Sequence, residues 1–159
     1  MTWDEVIECK ELQNLPFKIE LNRWGQVIMS PAYNPHGYLQ AEVIHELKTR
    51  LPRWRIAGEC SVQTSDGVRA PDVAAISPER YAEVKDQRLF QLAPDICVEI
   101  RSDSNTGIEM DEKRRLYFER GAREVWIVNA SRKVAFYNPA GVMERSALCP
   151  DFPLQLPEE

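Results

Sequence analysis

Two carboxylates and one lysine carry the chemistry that this sequence offers. Asp72 lies in Arg69-Ala-Pro-Asp-Val-Ala-Ala-Ile76 and Glu99 in Asp95-Ile-Cys-Val-Glu-Ile-Arg101, and both runs read as strands. Lys113 falls on what should be the buried stripe of the next helix. Two acids on neighbouring strands plus one inward cation are the minimum set for holding a divalent metal against a phosphodiester. With two carboxylates as its hard oxygen ligands, Mg²⁺ (or Mn²⁺) keeps positions for water and phosphate oxygens. Such a metal lowers the pKa of an attacking water and neutralises charge in the transition state.

Side chains alternate across a strand, so Cys97, Glu99 and Arg101 share one face while Ile96, Val98 and Ile100 share the other. A carboxylate inside such an apolar run is costly unless it is partnered. A metal shared with Asp72 is one partner; an ion pair with Arg101 or Lys113 is another. At about 100° per residue, Lys113 sits between Leu116 and Tyr117, with Met110 beside them, and so points inward. The competing reading is an i,i+4 pair with Glu109, or a stem that snorkels to solvent. The same arithmetic on the first long helix puts Gln40 in the centre of its apolar stripe, with His36 one turn before it. Both can face the cleft and position water, metal or phosphate, or each can make a structural hydrogen bond. His45 points the other way. Two histidines on different faces argue against zinc. With no Gly-rich phosphate loop, nucleophile elbow or sensibly spaced Cys/His pair, covalent catalysis has no candidate.

The elements that must position these groups follow from periodicity. Trp3 to Leu12 reads as a short helix. Phe17-Lys-Ile-Glu-Leu21 and Gln26-Val-Ile-Met29 form a hairpin, and Ser30 to Pro35 a loop. A helix is expected from His36 to Leu51, with Leu39, Val43, Ile44, Leu47 and Leu51 as its stripe, stopped by Pro52. Arg53 to Val62 is the next strand; the strand carrying Asp72 follows, then a polar connection from Pro78 to Leu89 with room for one helical turn. After the strand carrying Glu99, Thr106-x-x-Glu109 is a capping box opening a helix that ends near Gly121. Glu124 to Val128 and Lys133 to Tyr137 close as a hairpin, Val142 starts an edge strand, and the acidic, proline-rich end should be loose. This order predicts an α/β fold, a mixed sheet flanked by helices, as a single domain over 1–159 with its core at about 15–155.

With 159 residues, 43% hydrophobic and 28% charged, the chain is sized for one domain with a real core. The net charge of −5 argues against a general polyanion-binding surface, although Lys113, Arg114, Arg115, Arg120 and Arg123 cluster locally, interleaved with Glu112 and Glu119. No apolar run has the length of a membrane span, the amino terminus lacks a signal-peptide pattern, and Cys9, Cys60, Cys97 and Cys149 are scattered. Together these point to a cytoplasmic protein with reduced thiols and no membrane partner.

The ordered set Pro71-Asp72, Pro94-Asp-x-x-Val-Glu99-Ile, and Lys113-x-x-x-Tyr117-x-x-x-Gly121-x-x-Glu124-x-Trp126 resembles the bacterial Uma-type restriction endonuclease family of the PD-(D/E)XK nuclease superfamily. Phe17-x-x-Glu20-Leu, Met29-Ser-Pro31 and His36 fit the same pattern, so the resemblance covers about residues 15 to 155. It implies a restriction-endonuclease-like core with a divalent metal, Mg²⁺ or Mn²⁺, held by Asp72, Glu99 and the backbone carbonyl of Ile100. The superfamily's usual lysine, two residues after the second acid, is here Arg101, better suited to charge stabilisation than to base work. Lys113 supplies the lysine from the following helix instead, and Glu20 joins the site as an accessory acid. The expected activity is metal-dependent hydrolysis of DNA phosphodiesters, by analogy as a homodimer. The alternatives are an inactive nuclease-fold module for binding or assembly, and a small-molecule hydrolase using the same metal.

Overall fold

The computed structural model describes residues 1–31, 34–102 and 105–158. Its strands divide between two sheets. The smaller has four, in the order β2-β1-β5-β4: β1 (Phe17–Leu21), β2 (Val27–Pro31), β4 (Val62–Thr64) and β5 (Gly67–Arg69). The larger has six, in the order β10-β9-β8-β7-β6-β3: β3 (Arg55–Gly58), β6 (Val73–Ile76), β7 (Ile96–Ile100), β8 (Glu124–Val128), β9 (Val134–Asn138) and β10 (Gly141–Met143). Among these described strands only β7 and β8 pair in parallel. A parallel pair needs a crossover, and here it is helix α4 (Gly107–Glu119).

The alternation read in β7 decides which layer each face meets. Ile96, Val98 and Ile100 pack with Leu39, Val43 and Leu47 of α2 (Asn34–Arg50) in the main core. Cys97 faces the other way and packs with Met110 and Tyr117 of α4. The α4 capping box is formed: Thr106 Oγ1 accepts from the Glu109 N–H, and Glu109 accepts from the Thr106 N–H. Gly121 follows with φ 92°, a left-handed stop that L side chains rarely adopt.

Several expectations are corrected. The helix expected over Trp3–Leu12 is α1 (Trp3–Glu8) followed by a 3-10 turn at Lys10–Leu12. The strand expected over Arg53–Val62 is two strands in different sheets, because Glu59 at φ 57° turns the chain between β3 and β4. Arg69–Ile76 is likewise split, and Asp72 lies in the crossing segment just before β6 rather than within a strand. The Pro78–Leu89 connection contains α3 (Pro78–Val84), capped by Ser77 with proline in its first turn. α2 begins two residues early, and Ser30 and Pro31 belong to β2; the rest of the expected Ser30–Pro35 loop at residues 32 and 33 lies outside the described residues. The carboxyl-terminal segment is docked. Phe152 and Leu156 are buried, Phe152 packs on Trp126 at 4.6 Å between ring centroids, and Val134 N donates to Leu154 O at 3.0 Å.

Candidate active site

The seam between the sheets gathers most of the residues singled out by the sequence. Glu20 comes from β1, Asp72 from the crossing segment, Glu99 from β7 and Lys113 from α4. All three acids are buried, at 2–3% exposure. Lys113 Nζ donates to Glu20 at 3.2 Å and to Glu99 Oε1 at 3.3 Å. Glu109, its possible i,i+4 partner, is used by the capping box instead. Tyr117, one helical turn along α4, donates its hydroxyl to Glu99 Oε1 at 2.6 Å. Asp72 is fixed through Oδ2 by the Ile100 N–H at 2.7 Å, so the residue after Glu99 orients the other acid. His36 Nε2 lies 3.4 Å from Asp72 Oδ1. Gln40 reaches the same residue differently, donating to the Asp72 backbone carbonyl at 2.7 Å, so it holds the crossing segment rather than a carboxylate. Gly58 makes room for it: a Cβ there would stand 3.1 Å from Gln40 Nε2.

One cation at the centre was not anticipated. Lys18 of β1 is 9% exposed, and its Nζ donates to Asp72 Oδ1 at 3.0 Å, to Glu99 Oε2 at 3.3 Å and to the Ala70 carbonyl at 2.8 Å. The signal was its i,i+2 spacing from Glu20, which puts both on one strand face. Arg101 is not brought in. β7 ends at Ile100, and Arg101 is exposed, with its Nε donating to the Asn105 carbonyl at 3.3 Å. Two acids of the sequence pattern have scaffold contacts: Asp95 accepts from the Ser77 N–H at 2.7 Å, and Glu124 accepts from Trp126, Ser146 and the backbone of Ala147 and Leu148.

The electrostatics divide the acids. Burial pushes the Asp72 carboxyl up, but the Lys18 ammonium, His36 and the Ile100 N–H outweigh it and hold Asp72 well below the usual carboxylate range. Burial likewise opposes ionisation of Glu20, yet Lys113, Lys18 and the Ala70 N–H leave it lowered. For Glu99 burial wins over Lys113 and Lys18, and its pKa is raised. His36 is raised by its hydrogen bond to Asp72 against the effect of burial.

These groups line a cavity of about 570 Å³. Ile28, Met29 and Pro31 of β2 with Met110 and Leu116 of α4 give it apolar walls, while Glu59, Glu109 and Glu112 add acidic lining. Among the described residues no three His, Cys, Asp or Glu side chains are arranged to hold a metal by themselves. Asp72 Oδ1 and Glu99 Oε2 nevertheless converge on one point, the position of a cationic nitrogen. As hard, buried anionic oxygens they fit a divalent cation in donor chemistry, with main chain or water completing it.

A mixed α/β core carrying buried acids and a lysine at a sheet seam has the architecture of a nuclease-like fold. A solved structure described as "a putative nuclease belonging to DUF820 from Anabaena variabilis ATCC 29413" superposes with a TM-score of 0.70 at 19% identity, covering 87% of this chain and 80% of that one. The family described as "Putative restriction endonuclease" (Uma2) matches residues 3–152, and the chain belongs to that family. No curated protein matches it. No helix of the described residues is long and apolar enough to cross a membrane.

Proposed function

We propose that this cleft binds a divalent cation, Mg²⁺ or Mn²⁺, and hydrolyses phosphodiester bonds in DNA. The observation that carries the reading is the convergence of Asp72 and Glu99, two buried acids from different parts of the chain, on one cation position in a cavity with further donors. Asp72, Glu99 and the Ile100 carbonyl would hold the metal. When bound, it supplies Lewis acidity to a phosphate oxygen and a lowered pKa to the attacking water. The chain's own groups do the rest. Tyr117 fixes Glu99 in one rotamer, and the Ile100 N–H does the same for Asp72. Lys113, held between Glu20 and Glu99, would donate to a non-bridging phosphate oxygen as charge develops there. His36, on the cavity wall, can orient a water or the leaving group. The apolar wall from β2 suits the face of a sugar or base.

The test is cleavage of plasmid and single-stranded DNA with Mg²⁺ or Mn²⁺. Asp72→Asn and Glu99→Gln should each abolish cutting while circular dichroism stays native, and Lys113→Ala should lower turnover while Mn²⁺ binding is retained. Unchanged cutting in either acid variant would sink the assignment. One observation favours the alternative of a non-catalytic binding module: the Lys18 ammonium contacts both acids and offsets their charge. A module of that kind would bind DNA or protein and show no Mn²⁺ affinity that depends on Asp72.

A further inference from the structure

The place where Asp72 and Glu99 converge is occupied by a side chain of the protein itself. Lys18 Nζ makes its 3.0 Å and 3.3 Å contacts with the same oxygens, Asp72 Oδ1 and Glu99 Oε2, that would bridge to a metal, and the Ala70 carbonyl at 2.8 Å anchors it. Lys18 comes from β1, in the small sheet, whereas Glu99 belongs to the large one. An ammonium nitrogen and a divalent ion cannot share one point between two carboxylates: the space is the same and the charges repel.

We propose that Lys18 is a built-in competitor for the metal, holding the Asp72–Glu99 position in the metal-free protein and leaving it whenever a divalent ion binds. This rests on the metal-binding part of the reading above but not on catalysis. It makes Lys18 a positioning residue. Lys18 and Lys113 bridge the three acids Glu20, Asp72 and Glu99 in the resting protein, and these pairings offset most of the cost of burying the carboxylates. The fraction of molecules with Lys18 withdrawn then scales the apparent metal affinity. A lysine that acted only on substrate, clear of the two carboxylates, would leave metal affinity unchanged when removed.

The experiment is a Mn²⁺ titration, read by calorimetry and by the loss of the free-ion electron paramagnetic resonance signal, on wild type, Lys18→Met, Lys18→Arg and Asp72→Asn, with thermal melts of each protein with and without Mn²⁺. Lys18→Met should bind Mn²⁺ about tenfold or more tightly than wild type, melt lower without metal, and regain melting temperature when Mn²⁺ is added. Lys18→Arg, which keeps the charge, should bind no tighter than wild type. Should Lys18→Met be unfolded without metal, folding on addition of Mn²⁺ supports the proposal, and failure to fold with it overturns the proposal. Equal Mn²⁺ affinity in Lys18→Met and wild type, or equal tightening in Lys18→Arg, also overturns it. Absence of Mn²⁺ binding in every variant would overturn this inference and the metal reading together. Tightened binding without DNA cleavage would leave the lysine's role standing while the nuclease proposal failed.

Discussion

Removing a single oxygen tests whether Glu99 is a buried anion held by its neighbours. Tyr117→Phe deletes the hydroxyl that donates to Glu99 Oε1 at 2.6 Å and changes the packing volume little, so no cavity term is added. Both partners are buried, at 0% and 2% exposure, so water replaces the lost donor poorly. A hydrogen bond to a charged group contributes about 1.5–3 kcal/mol, against about 1 kcal/mol between neutral groups. For a chain of this size about 2 kcal/mol corresponds to roughly 4–8 °C in melting temperature. Urea unfolding followed by far-UV circular dichroism measures the difference, and the cycle with Glu99→Gln isolates the pair. The expected result is a loss of about 2 kcal/mol in the wild-type background, and at most half of that in the Glu99→Gln background, where the acceptor is a neutral amide. The pH dependence carries a sign. Glu99 has a raised pKa, so its ionisation costs stability as pH rises through that value, and losing Tyr117's donor raises the pKa further. The deficit should therefore shrink in acid, once Glu99 is protonated in both proteins. A loss under about 0.5 kcal/mol at neutral pH, or a deficit that grows in acid, would refute the view of Glu99 as an anion stabilised by Tyr117.

Glu124→Gln should destabilise by about 3 kcal/mol, because an amide nitrogen would face donors that now all point at carboxylate oxygens. Amide hydrogen exchange should localise the loosening to residues 146–156, and uniform loosening would speak against an anchoring role. The thiols offer a pH test. Burial pushes Cys60 up to about 11, and burial with Asp151 nearby does the same for Cys149, so at pH 8 only about one in a thousand of either is thiolate. In the native protein Cys9 should take up Ellman's reagent first, with Cys60 and Cys149 gaining rate as pH rises towards 10; a fast phase that survives Cys9→Ser would contradict this.

Much of the site was legible because it sits where local rules act alone. Alternation through Ile96–Ile100 placed Glu99 correctly, the 100° arithmetic turned Lys113 inward, and the Thr106–Glu109 box set the helix start from which that arithmetic counts. Most of what stayed hidden depends on contacts between residues distant in sequence. In Phe17-Lys-Ile-Glu-Leu21 alternation groups Lys18 with Glu20 but does not say which face is covered; the seam between the sheets buries both, and that depends on residues far along the chain. Alternation was carried one residue too far at Arg101, beyond the end of β7. The proline-rich end looked loose because Phe152 and Leu156 have no local partner; theirs are Trp126, Phe136 and other residues of the main core.

The two places where the chain steps between sheets without an intervening helix, at Glu59–Ser61 and at Ala70–Asp72, have a mechanical consequence. Between them lies a short β4–β5 hairpin, joined to β1 by a single register pair, Leu21 with Val68. Across the seam run ionic bonds, Lys18 to Asp72 and Glu99 and Glu20 to Lys113, beside backbone bonds between Ser61, Gln63 and Phe90 and the packing of Val62 on Cys97, Val125 and Ile127. The charge cluster is thus a clasp as well as a pocket. A change in the occupancy of the centre should therefore change the spacing of the two sheets, read for instance by distance labels at Trp24 and Val142, both exposed; an unchanged distance would show that the Val62 and Phe90 contacts set the spacing instead.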